Sequence, residues 1–420
     1  MGSTARWRML AVSGVALMTA SMVAACGSDD GTQINVYYAP EENFQSVIDK
    51  CNDAANGRYE IVYRKLPRDA DGQREQMVRR LAAGDTDLDI LGLDVTWVPE
   101  FAEAKWLEEW TGSNKQQAEK DVLDGPLKTA EWNDKLYSAT KNTNVQLLWY
   151  DESVTPTPPR TWREMIDMSK ELKEQGKPYR ILFTGAQYEG LVVTYNTLVA
   201  SYGGQILSED GKQVVMDQGA VDALKLLKEI ASSGLTDPSL TNAQEQQVQQ
   251  GFEAKDSQAA FELNWPYVYS AMKTANPDRF KTFKWARYPG IDGPGRVTIG
   301  GYNLGVSAYS EHKPEAFEAA LCLRSEESQR FSAINDGVPP TIGSIYDGGD
   351  AEFVEAYPMW ETIEEQLQDA AVRPLTVVYQ NLSTITSKVL SPPQDIDPDA
   401  TAGELRDQLQ KALESKGVLP

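Results

Sequence analysis

Apolar and polar residues follow two different rhythms along this chain. "INVYY" (34–38), "YEIVYRKL" (59–66) and "LDILGLDV" (88–95) are short β-branched and aromatic runs and read as strands. Between the first two, Phe44, Val47, Ile48 and Cys51 fall at i, i+3, i+4 and i+7, which places Cys51 on the buried stripe of a helix. Arg74 to Ala83 is a second helical stretch, stopped by Gly84. Strands alternating with helices predict a doubly wound α/β unit with parallel strands. Ligands of such sheets sit beyond the carboxyl ends of the strands, where Asp94, Val95, Thr96 and Trp97 fall.

"NVQLLWY" (144–150) is a further strand. The prolines of "TPTPPRTWREMIDMSKEL" break the chain, and Thr161 and Glu164 have the spacing of a capping box that starts a helix. Val221, Leu224, Leu227 and Ile230 mark another amphipathic helix. "VTIGGYNLGVSAYS" (297–310) is strand-like, with Gly300 and Gly301 allowing a bend or a close backbone approach. Leu405, Leu409 and Leu413 line a closing helix.

The start of the chain has a different character. Arg6 and Arg8 precede an uncharged run from Met9 to Ala25 that ends in small residues, the layout of a secretory signal (1–25), too short and too rich in Ala and Ser to span a membrane comfortably. Val23-Ala24-Ala25-Cys26 resembles a bacterial lipobox, which implies cleavage before Cys26, lipidation of that cysteine and a polar tether over 26–33. Several acyl chains hold a protein on a membrane more firmly than one. The alternative is an ordinary signal with a cysteine near its end.

About 395 residues then remain, more than one core usually serves, so two lobes are expected. Without Arg6 and Arg8 the chain carries 38 basic against 62 acidic residues. That balance repels phosphate backbones and argues against nucleic acid as a partner. Cys51 and Cys322 are either a disulfide or two buried thiols, with the bridge favoured outside the membrane. The single histidine, His312, precedes Lys313-Pro314 and a helix-like run. One histidine excludes His-rich zinc sites and the HExxH arrangement, and no GxSxG elbow, GxxxxGK[ST] loop or EF-hand loop is present. No metal or cofactor is expected. A glycosidase needs only two carboxylates, so a secreted carbohydrate-active enzyme stays open as the alternative to a binding protein.

The order of these pieces resembles the extracytoplasmic sugar-binding proteins of ABC importers. Pro158 to Glu164 looks like that family's "P-x-T-W-[DE]-E" helix start, and "GGYNLGVSAYSEHKPEAFEAALCLRSEESQRFSAINDGVPP" (300–340) is similar to its strand, two helices and Gly-x-Pro turn. "FEAKDSQAAFELNWPYVYS" (252–270) is similar to the segment that usually ends in Gly-Pro-Trp, with Asn264-Trp265-Pro266 in its place. "LDVTWVPEFAEA", "NTNVQLLWY", "EGLVVTYNTL", "LSEDG", "NWPYVY" and "DAAVRPLTVVYQ" together resemble the trehalose-binding lipoproteins of mycobacteria and their relatives, from the lipobox to the terminal "GVLP".

The resemblance implies a periplasmic-binding-protein-like, Venus-flytrap α/β fold, each lobe a mainly parallel sheet flanked by helices. It implies lobe 1 over 34–139 plus 306–338, lobe 2 over 140–305 plus 339–420, and Cys51 and Cys322 together in lobe 1. It further implies a lipid-anchored, monomeric, non-enzymatic receptor outside the cytoplasmic membrane that delivers trehalose or a related disaccharide to membrane permease subunits. A receptor for another small solute, such as a peptide or glycerophosphodiester, stays open.

Carboxylates, amides and arginine bind sugar hydroxyls, and aromatic rings stack on sugar C–H faces. The expected sugar-binding set follows from the matched positions. Trp265 and Tyr267 are the stacking candidates, against core packing. Asp94 is a hydroxyl ligand or a helix cap, and Glu189 likewise. Asn144 supplies an amide. Arg373 forks to two hydroxyls or makes a salt bridge to Asp369 or a neighbour. Gly301 lets backbone approach the ligand, and Glu42 and Gln73 open the first two helices and face the cleft. Trp106 and Trp110 are read as packing, and Trp162 as the helix-entry residue.

Overall fold

Two mixed sheets, each covered by helices, organise the chain; the computed structural model describes residues 31–208 and 211–415. The expected signal, Cys26, most of the tether and the terminal "GVLP" lie outside the described residues. Among those residues no helix is long and apolar enough to cross a membrane.

The first sheet has the order Tyr59–Lys65, Thr32–Tyr38, Ile90–Asp94, Gly300–Val306, Ala139–Asn144. Its first three strands are parallel, and Gly300–Val306 runs antiparallel to both neighbours. Alternation along the strands loads both faces. Ile34, Val36, Ile90, Leu304 and Val306 pack with the helices Phe44–Ala55 and Lys313–Leu323, while Leu91 and Leu93 pack on the other side with Met77, Leu81 and Phe101. The predicted stripe of Phe44, Val47, Ile48 and Cys51 is fully buried.

The second sheet has the order Phe283–Ala286, Leu147–Asp151, Ala259–Asn264, Arg180–Leu182, and only its last pair is parallel. Its core gathers the helices Trp162–Glu174, Glu189–Ser201, Gln218–Ser232, Tyr379–Leu390 and Pro398–Leu413. The predicted capping box is present: Glu164 N donates to Thr161 Oγ1 at 3.1 Å, and Thr161 N donates to Glu164 Oε2 at 3.2 Å. Trp110 and Trp162 are fully buried packing residues.

Two expectations need correction. The sheets are mixed where mainly parallel ones were expected. The strands that arrive from the other lobe, Leu147–Asp151 and Gly300–Val306, enter from the junction and run against both neighbours. The boundaries at 139/140 and 305/306 also fall inside elements of the first sheet. Ala139–Asn144 pairs with Gly300–Val306 there, and the chain changes sheets at Val145–Gln146 and again between Ala286 and Gly300. Residues 139 to 151 are buried almost without a break, but Thr140 to Asn144 carry polar side chains, so the first half of this passage does not read as a strand in the sequence. A third passage follows Asp336: Thr341 Oγ1 bonds Thr140 Oγ1 at 2.8 Å beside the first sheet, and Ile342, Ile345 and Tyr346 join the second core.

Cys51 and Cys322 form a disulfide between the helices Phe44–Ala55 and Lys313–Leu323, closing a separation of 271 residues. The bridge stitches an early and a late piece of the first lobe. Replacing both cysteines by serine is expected to lower the unfolding free energy by roughly 2–5 kcal/mol in urea titrations.

Candidate functional site

Asp94 closes the strand Ile90–Asp94, and its Oδ1 accepts from Thr96 N at 3.0 Å and Thr96 Oγ1 at 2.8 Å. This turn aims the carboxylate at the other lobe, where Arg373 meets it. Arg373 is 3% exposed; its Nη2 donates to Asp94 Oδ1 at 3.0 Å and Oδ2 at 3.3 Å, and its Nη1 to Glu189 Oε1 at 2.5 Å. Glu189 is the first residue of the helix Glu189–Ser201, where a negative charge is favoured. It also accepts from Tyr379 Oη at 2.6 Å and from Ser383 Oγ. Burial pushes the Glu189 carboxyl up, and Arg373, Ser383 and Tyr379 pull it back. Burial works against the Arg373 charge, and Asp94 and Glu189 more than offset it. The alternative partner Asp369 is engaged elsewhere, with Arg287 at 2.9 Å.

The aromatic wall comes from the second lobe. A Cβ placed on Gly300 would lie 2.9 and 3.1 Å from ring atoms of Trp265 and 3.4 Å from Asn144 Cβ. The indole therefore rests on the backbone of the first sheet, beside Asn144. Asn144 Oδ1 is buried and receives no hydrogen bond from the described residues. Trp265 and Tyr267 are both half-buried. Between this wall and the ion triad stands Tyr302, whose phenol feels Asp94, Glu245 and Arg373 together.

Other expected residues take different places. Gln73 is fully buried: its Nε2 donates to Pro67 O at 2.9 Å and Arg68 O at 3.1 Å, and its Oε1 accepts from Tyr302 Oη at 3.0 Å. It braces Tyr302. Glu42 is exposed, while its neighbour Glu41 forms a buried pair with Lys141 at 2.7 Å and accepts from Ser332 Oγ at 2.8 Å. Gly301 has φ +122°, and a Cβ there would meet Asn142 O at 2.5 Å and Thr143 Cα at 2.7 Å. The close approach that needs glycine at 301 is thus made by the neighbouring strand; the aromatic ring lies on Gly300.

Four residues joining this junction were not anticipated. Tyr379 and Ser383 sit one helical turn apart on one face, a spacing visible in "VVYQNLS". Glu245 starts the helix Glu245–Glu253, accepts from Tyr188 Oη, and has its carboxyl pushed up by burial. Gln380 Nε2 donates to Asp71 Oδ1 at 2.9 Å across the lobes. Sequence offers no local signal for Glu245 or Gln380, because their partners are distant in the chain.

Chemically, the junction offers buried acceptors and donors from both lobes beside an aromatic ring. The triad holds two carboxylates against one guanidinium. Arg373→Met would leave Glu189 buried, and Asp94 half-buried, without that cation, at an expected loss of about 3 kcal/mol in chemical denaturation at pH 7. The sign with pH is set by Glu189. Its folded form would keep a proton that the unfolded chain gives up above about pH 4.3, so part of the lost stability should return on acidification toward pH 5.

A family model described as "Bacterial extracellular solute-binding protein" matches residues 41–330. The "Probable ABC transporter-binding protein" of Deinococcus radiodurans is 26% identical over 334 residues, covering 77% of this chain and 78% of the relative. Maltose-bound MalE3 of T. maritima superposes with a TM-score of 0.82 at 25% identity, over 90% of this chain and 99% of that one. The GacH receptor of Streptomyces glaucescens GLA.O superposes at 0.80 with 18% identity, over 92% and 100%, and shares the fold. The chain belongs to the bacterial extracellular solute-binding protein family.

Proposed function

We propose that this protein captures a neutral disaccharide, trehalose first among the candidates, between its two lobes and hands it to the permease of an ABC importer. The carrying observation is the junction itself: Trp265 resting on Gly300 beside Asn144, with Asp94, Arg373 and Glu189 drawn from both lobes. A disaccharide needs a stacking face and buried hydrogen-bonding groups. The solved relatives carry maltose in MalE3 and acarbose in GacH, which favours a sugar. Trehalose rests on the ordered sequence blocks from "LDVTWVPEFAEA" to "DAAVRPLTVVYQ".

The charge of the ligand follows from Arg373. Its guanidinium already faces two carboxylates, so it is not available to neutralise a phosphate. This weighs against a glycerophosphodiester. Closure requires only that the sugar make more contacts in the closed state than in the open one. A lipid at Cys26 would keep the receptor close to its permease and concentrate the loaded form at the membrane.

Isothermal titration of trehalose into the chain from Gly27 to Pro420, with maltose and sucrose alongside, tests the reading. Saturable heat with trehalose and recovery of intact sugar is the expected result. Glucose in the cell would replace the receptor with a glycosidase, and no heat or thermal stabilisation with any of the three sugars would remove the ligand assignment. Trp265→Ala is expected to weaken binding at least about tenfold, equivalent to about 1.4 kcal/mol. Gly300→Val, which drives a side chain into the indole position, is expected to do the same in the same titration, while Trp106→Phe leaves the affinity alone.

A further inference from the structure

The turn that carries Trp265 and Tyr267 hangs on side chains behind the aromatic wall. Asn264 ends the strand Ala259–Asn264 and is fully buried. Its Oδ1 accepts from Trp265 N at 2.9 Å, and its Nδ2 donates to Glu245 O at 3.1 Å and to Glu262 Oε1 at 2.8 Å. Its backbone carbonyl accepts from Trp149 Nε1 at 2.9 Å, and the Tyr267 phenol lies close enough to feel its side chain. Strand alternation puts Glu262 and Asn264 on one face, so the carboxyl sits directly behind the amide.

Glu262 is 1% exposed, and its Oε2 receives no hydrogen bond from the described residues. The charged and titratable groups around it are Glu245 and Glu253 on the helix Glu245–Glu253, Tyr267 at the turn, Arg279 on the helix Pro277–Phe280, and Asp151 on the adjoining strand. Arg279 has other commitments: it donates to Phe252 O at 2.6 Å and Ala259 O at 2.8 Å and pairs with Asp151 at 3.4 Å. Burial pushes the Glu262 carboxyl up to about 8, with the Asn264 bond and Arg279 lowering it and Glu253 raising it.

We propose that Glu262 is a positioning residue for the binding site: through the Asn264 amide it sets the Trp265–Tyr267 turn, and ionising it strengthens its pull on that amide and shifts the turn. An ionised carboxylate with one oxygen unanswered in the core is costly. The relief available is to draw in water or a second Asn264 proton, and either move disturbs the bonds that Asn264 makes to Trp265 N and Glu245 O. The link to sugar affinity rests on the receptor reading above; the link to Trp265 does not.

The test therefore has two arms on the purified chain. Without sugar, the fluorescence of Trp265, taken as wild type minus Trp265→Phe, is followed from pH 6 to 10. A transition near pH 8 that Glu262→Gln abolishes is expected. With trehalose, titrations at pH 7 and 9 should show wild-type affinity falling about five- to tenfold, a fall that Glu262→Gln flattens. No wild-type fluorescence transition, or the same transition in Glu262→Gln, overturns the proposal. Absence of trehalose binding at every pH overturns the receptor reading alone, and the fluorescence arm then decides on Glu262. If Glu262→Gln does not fold, the infrared carbonyl band of the neutral carboxyl replaces it. That band should vanish from the wild type near pH 8 and shift in Asn264→Ala; a wild type without it overturns the proposal.

Discussion

One guanidinium placed between carboxylates of opposite lobes constrains everything around it. Arg373 can be buried only because Asp94 and Glu189 reach it, and Glu189 can be buried only because it is there. Each acid stands at a chain terminus of a regular element, one closing a strand and one opening a helix. Neither can move without moving the element behind it. Tyr379 and Ser383 fix the far side of Glu189, and Thr96 fixes the near side of Asp94. The lobes thus meet through groups whose positions the two sheets dictate.

The aromatic contact depends on the crossings in the same way. Asn144 is the last residue before the chain leaves the first sheet, and Gly300 is the first after it returns. Trp265 lies over Gly300, with Asn144 beside that contact. A ring resting where the chain returns to the first sheet is sensitive to the placing of that strand, whereas a ring deeper in either lobe would not be. The acid–arginine triad and the ring are therefore two readings of one geometry, one electrostatic and one steric.

Much of this was legible in the sequence because it is local. The stripe of Phe44, Val47, Ile48 and Cys51, the capping box at Thr161 and the strand that ends at Asp94 each follow from spacing within a dozen residues. Sheet direction was not legible. Leu147–Asp151 looks like any buried strand, and only its arrival from the other lobe makes it antiparallel. The site split along the same line. Asp94, Glu189 and Arg373 come together as expected residues, yet they pair with one another, which a one-dimensional pattern cannot show. Glu42 and Glu41 illustrate the finer limit: adjacent acids at a helix start differ by which one finds Lys141, a residue a hundred positions away. Gly300 and Gly301 differ likewise, by which neighbour lies over each.

The position of Gly300–Val306 in the first sheet has a consequence for the order in which the chain can fold as it emerges from its amino end. This strand lies between Ile90–Asp94 and Ala139–Asn144, so those two cannot pair until three hundred residues have emerged. Until then the first lobe presents an open edge at Ile90–Asp94, an apolar strand with unpaired backbone groups. The second lobe's strands are all contained between Leu147 and Ala286 and can associate earlier. The order of emergence therefore reverses the order of the sheets: the one that begins first closes last, and its unfinished edge is the surface most in need of protection while the chain is still emerging.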